Sequence, residues 1–131
     1  MVALTSEVDT YERMKGCAAE TGMAIFGLRN GRPVPDRERR FAAGKMVCDV
    51  IAKGKTLGTS EHLSSFEDIE LRQEFMSFAA GSRISIDEIA KMTDEAASVA
   101  AILDRINTGS EVEVEDLDRS MTFFKNLYRS L

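Results

Sequence analysis

The sequence predicts an all-α fold, a single-domain bundle of about five helices over residues 1–131 that ends in an antiparallel helical hairpin. Three observations carry that expectation. Only 2 prolines occur in 131 residues, and a proline inside a helix removes a hydrogen bond and clashes with the preceding turn. Apolar residues recur at spacings of three and four along much of the chain, which places them on one side of a helix. Strand-like segments are too few to build a sheet. A chain of this length buries roughly two thirds of its extended surface, enough for a core without disulfides or a metal. Its 44% hydrophobic and 30% charged residues exclude disordered and collagen-like classes.

The first helix is expected from residue 6 to about residue 19, capped by Thr5 or Ser6, with Val8, Tyr11, Met14 and Ala18 on one face. Gly16, Gly22 and Gly27 each weaken a helix by about 1 kcal/mol relative to Ala, so residues 23–28 are open to three readings: a continuation, a second short helix or a strand. Asn30-Gly31 is the dipeptide of type I′ hairpins and favours the strand, whereas Pro33 cannot donate to a ladder. After Pro33-Val34-Pro35, a helix starts at Pro35 or Asp36 and carries Phe41, Gly44, Val47, Cys48 and Ile51 on its apolar side. Gly54 is expected to end it. Residues 53–65 are polar and form the longest expected connection, where a functional loop would most easily sit.

Ser65 then caps a helix over residues 66–80, with Asp68 in its first turn and Gly81 as its stop. Phe66, Ile69, Met76 and Ala80 form one apolar stripe, and Leu71, Phe75 and Phe78 form a second roughly opposite it. A surface helix needs only one. This helix is therefore either central, sandwiched by others, or meets another chain with its second face. The latter reading makes Leu71, Phe75 and Phe78 candidate apolar contacts for a partner.

The last two helices have the most regular patterns. Ser85, Asp87 and Glu88 start one whose apolar positions are Ile86, Ile89, Met92, Ala96, Val99, Ala100, Leu103 and Ile106, stopped by Asn107, Thr108 and Gly109. The other places Val114, Leu117, Met121, Phe124, Tyr128 and Leu131 at alternating spacings of three and four. The short connection between them predicts the antiparallel hairpin, expected to pack on the helix that begins at Phe66.

Several chemistries fail on inspection. A helix-turn-helix over residues 86–103 would have Asp94 where the turn usually has Gly, and its second helix offers Asp94, Glu95, Ser98 and Asp104 where phosphates require positive charge. Gly54-Lys55-Thr56 resembles the end of a phosphate loop but follows a helix and lacks the earlier Gly. A calcium loop over residues 104–115 has Ile106 and Thr108 where oxygen ligands belong. One histidine, His62, and two cysteines do not make a zinc site. No cofactor, metal or catalytic residue is assigned, and the chain is expected not to be an enzyme. Cys17 and Cys48 are expected to be free thiols in a cytoplasmic protein, because residues 1–9 lack a signal-peptide pattern and no apolar run is long enough to span a membrane.

Charge is unevenly laid out. The chain carries a net -5, yet residues 27–55 hold eight basic residues against three acidic ones, while residues 56–131 hold seven against fifteen. Arg29, Arg32, Arg37 and Arg40 are the candidate basic contacts, for an acidic partner or for phosphate, unless they pair within the chain. The leading functional expectation is a non-catalytic protein–protein interaction module of the adaptor, inhibitor or chaperone kind, whose partner is another protein or a second copy in a homodimer. The alternatives are a nucleic-acid-associated regulator that contacts phosphates through residues 29–40 and, third, a small enzyme centred on residues 54–65 and His62.

Overall fold

The computed structural model describes residues 6–58, 63, 65–81 and 84–130, and every regular element among them is a helix. In chain order these are α1 (Ser6–Arg29), α2 (Arg37–Gly58), α3 (Phe66–Gly81), α4 (Ile86–Lys91), α5 (Thr93–Asn107) and α6 (Val114–Ser130). The all-α bundle expected from the sequence is the fold, with six helices among the described residues.

Residues 23–28 continue α1, which runs through Gly16 and Gly22 because it packs on α2, α3 and α6 at once. Burying a large apolar side chain contributes about 1.5–3 kcal/mol, and Met14 and Ile25 are fully buried. That outweighs about 1 kcal/mol per helical glycine. Asn30-Gly31 closes this helix instead of turning a hairpin. Gly31 has φ 68°, its amide donates to the Leu28 carbonyl at 3.2 Å, and the Arg32 amide donates to the Gly27 carbonyl at 2.8 Å. This pair of backward bonds is the Schellman arrangement. It recurs after α5, where Gly109 has φ 80°, Gly109 donates to Ile106 at 3.3 Å and Ser110 to Arg105 at 2.9 Å.

In α2 the expected apolar positions Phe41, Gly44, Val47, Cys48 and Ile51 are all buried. Gly54 does not end this helix, which continues to Gly58. Its role is close approach, since a methyl group at Gly54 would overlap the Phe75 side chain of α3. Ser65 and Ser85 act as the caps expected of them, accepting from the amides of Asp68 at 3.4 Å and Glu88 at 3.2 Å. The single helix expected over residues 86–106 breaks at Met92, whose amide donates to Ile89 at 3.0 Å in a tight turn. Thr93, Asp94 and Glu95 then open α5, with the acidic pair in its first turn, where the helix dipole favours it. The apolar stripe survives the break, with Ile89, Ala96, Val99, Leu103 and Ile106 buried.

The longest helices, α1 and α2, form the centre. Thr21 meets Arg40 near the start of α2, while Arg13, earlier in α1, shares a surface pocket with Met46 and Val50 farther along α2, so the two helices are an antiparallel pair. Helix α3 packs on both, α5 packs on α2, and α6 packs mainly on α1. The hairpin α5–α6 is thus present in sequence order, with Arg105 3.3 Å from Asp116, but it straddles the α1–α2 pair and does not pack on α3.

The two stripes of α3 also resolve differently from the partner-face reading. Phe75 and Phe78 are 2% and 0% exposed and belong to the chain's own core, and Leu71 packs half-buried against that core. The opposite stripe faces outward, with Phe66 73% and Met76 54% exposed. On α6 the buried set is Leu117, Ser120, Phe123, Phe124 and Leu127. Val114 and Tyr128, expected on the apolar seam, are about half exposed, and Leu131 lies outside the described residues. Among the described residues no helix is long and apolar enough to cross a membrane.

Candidate partner-binding groove

Helices α1 and α6 run antiparallel, with Lys15 near Tyr128, Gly22 near Phe124 and Arg29 near Asp118. Along their junction α1 presents Ala18, Ala19 and Gly22. Small side chains here leave a low floor, since a methyl group at Gly22 would sit 3.6 Å from Phe124 Cβ, in ordinary contact. Larger side chains stand up on either side, Met23 and Phe26 from α1, Met121 and Tyr128 from α6, and Pro33 from the connection after α1 also lines the space. The result is an open apolar groove of about 970 Å³. Met23 is 73%, Phe26 52% and Tyr128 45% exposed, so its walls face water.

The charged residues that line this groove are Arg32, Lys125 and Arg129, with no carboxylate, cysteine or histidine among the described lining residues. Two cations are held over its aromatic walls, the Lys15 ammonium 5.3 Å from the Tyr128 ring centre and the Arg32 guanidinium 6.0 Å from that of Phe26. Such placements are worth about 0.5–1 kcal/mol at exposed sites. None of Lys15, Arg32, Lys125 and Arg129 has an ion pair among the described residues. The groove is therefore a positive patch on a chain of net -5.

The other basic residues singled out in the sequence go elsewhere. Arg29 pairs with Asp118 at 3.0 Å, Arg37 donates to the Ile106 carbonyl at 3.5 Å, and Arg40 is half-buried with its carbonyl accepting from Thr21 Oγ1 at 3.0 Å. Nearby, Arg39 lies 3.8 Å from Glu20 and 3.6 Å from Asp36, and Lys45 lies 3.3 Å from Asp104. Of the four candidate arginines only Arg32 reaches the groove.

His62 lies outside the described residues. Gly54 to Thr56 are helical, so no phosphate-cradling loop forms there. Both thiols are free, and burial pushes both above their ordinary value, with the charge of Glu20 adding at Cys17 and that of Asp49 at Cys48.

Sequence reasoning missed Met23 and Phe26 as a site and took Tyr128 for core. The available signal was the spacing of three between Met23 and Phe26, beside the small residues Ala19 and Gly22 on the same helix. What periodicity does not contain is that α6 pairs with α1.

Comparison with known proteins brings no match, whether with protein-family descriptions, curated proteins or solved structures.

Proposed function

We propose that the protein is a non-catalytic protein-interaction module, of the adaptor, inhibitor or chaperone kind, whose docking surface is the α1–α6 groove. The observation that carries this reading is the clustering of exposed Met23, Phe26 and Tyr128 around a floor of small residues. Clustered apolar surface with a polar rim is what an insertion site for a partner's side chains requires. The exposed Phe66 and Met76 of α3 do not compete as a site, because ten residues of helix separate them by about 15 Å.

Catalysis has less support at this groove, since its described lining offers Thr122, Lys125 and Tyr128 but no carboxylate, cysteine or histidine beside them to activate one. The nucleic-acid reading has less support, since Arg29 pairs with Asp118, Arg37 donates to the Ile106 carbonyl and Arg40 is half-buried.

The test compares wild type with Phe26→Ala/Tyr128→Ala as bait in the native host. Both side chains are exposed, so the double variant is expected to keep its thermal midpoint within a few degrees. An abundant protein retained by wild type and lost from the variant supports the reading. Identical captured sets overturn it.

A further inference from the structure

We infer that the groove's partner is an amphipathic helix whose apolar anchors are flanked by Asp and Glu, and that a second copy of this chain is not its occupant. This rests on the groove being a docking surface for protein.

Charge selects the partner. The cations Lys15, Arg32, Lys125 and Arg129 stand at or beside the groove, unpaired among the described residues, while Arg13, Arg29, Arg39, Lys45, Arg105 and Arg119 each meet a carboxylate within the chain. An acidic rim on the partner supplies the missing counter-charges, and it steers encounter toward this one face of an otherwise acidic protein. A two-fold homodimer through the same groove would bring four cations against four, since a two-fold axis apposes identical surfaces. Like charges across an interface are a mechanism for rejecting a wrong partner. The groove therefore selects against its own copy.

Shape selects a helix. Every regular element among the described residues is helical, so no sheet edge is offered for an added strand. From Ala18 to Gly27 the α1 side of the groove is about 13 Å long. That accommodates anchors at i, i+3 or i+4, and i+7, a span of about 10 Å on the occupant. The small residues of the floor leave depth for those anchors, and Phe26 and Tyr128 flank them with aromatic surface.

The probe is a displayed library of helices about 18 residues long, about 27 Å end to end. Leu, Met or Phe occupies each i, i+3, i+4 and i+7 position, and the polar positions vary freely among Glu, Lys, Gln and Ala. Selection uses the full chain, with Phe26→Ala/Tyr128→Ala and Arg32→Gln/Lys125→Gln/Arg129→Gln as counter-screens.

The expected result is enrichment of Glu beside the anchors. Binding should weaken about tenfold in the triple Gln variant and about tenfold between 0.05 and 0.3 M salt, with loss in the double Ala variant. Helices that need Phe26 and Tyr128 but carry neutral or basic polar faces overturn the acidic partner and leave the docking surface standing. If no selected helix depends on Phe26 and Tyr128, the docking surface itself falls. Concentration-dependent dimerisation in sedimentation that Phe26→Ala/Tyr128→Ala abolishes assigns the groove to a second copy and overturns the inference.

Discussion

Gly54 of α2 lies directly against Phe75 of α3, so closely that an added methyl group would overlap the Phe75 Cβ and ring. The overlap begins at Cβ, next to the backbone, so Phe75 cannot swing clear without moving α3. Ala is favoured over Gly inside a helix by about 1 kcal/mol, but overpacking a core costs about 1–3 kcal/mol. Gly54→Ala is therefore expected to lower stability in urea denaturation. Gly16 lies in the same kind of element with nothing near its missing Cβ, and Gly16→Ala is expected to raise stability by up to about 1 kcal/mol. Two shifts of the same sign would refute the close-approach account.

A second close approach joins α2 to α1. Thr21 is fully buried, fills the space that a Cβ at Gly44 would need, and donates from Oγ1 to the Arg40 carbonyl at 3.0 Å. Thr21→Val keeps the shape and removes the hydrogen bond, so its cost is expected near 1 kcal/mol. Gly44→Ala should cost more, because the methyl group meets a side chain that α1 holds in place. A Thr21→Val variant as stable as wild type in chemical denaturation would show that the hydroxyl contributes nothing.

These two glycines mark where sequence reading stops. The spacing of Phe41, Val47, Cys48 and Ile51 reveals which face of α2 is buried, since burial repeats with the helical period. It says nothing about which helix lies opposite, and a glycine read along the chain is a breaker until its neighbour across the interface is known. The same limit explains α3. Two apolar stripes were visible, but only the position of α2 and α1 decides that Phe75 and Phe78 turn inward while Phe66 and Met76 turn out. Caps were legible because Ser65, Ser85 and Gly109 act on groups within five residues of themselves. The groove was not, because Phe26 and Tyr128 lie about a hundred residues apart in sequence and only the antiparallel pairing of α1 with α6 brings them together.

The ion pairs that absorb the Arg-rich segment organise charge more than they stabilise the fold. Lys45 and Asp104 are 3.3 Å apart and both side chains are over 40% exposed, so water screens them strongly. A double-mutant cycle with Lys45→Ala and Asp104→Ala is expected to give a coupling of about 0.2–1 kcal/mol that shrinks with added salt. A larger coupling, unaffected by salt, would mean that α2 and α5 are held by charge instead of by the buried Phe41, Val99 and Leu103.

Burial of Cys48 makes stability depend on pH in a defined direction. Desolvation, with the neighbouring Asp49 charge adding, holds the folded-state thiol well above its ordinary value of 9.0. At pH 8 and below the thiol is almost wholly protonated in both states and contributes little pH dependence. As pH rises past 9 the unfolded chain ionises and the folded chain does not, so the unfolded state gains and stability falls. The loss is about 1.4 kcal/mol by pH 10. Cys48→Ala lacks this contribution, so its deficit against wild type is expected to shrink by about that amount between pH 8 and pH 10 in urea titrations. Comparison with the variant cancels the tyrosines and lysines that titrate in the same range. A deficit constant across that interval would place Cys48 in contact with water in the folded chain. Reaction with a thiol reagent gives an independent check: Cys48 is expected to react only on unfolding, and half-buried Cys17 slowly in the native state.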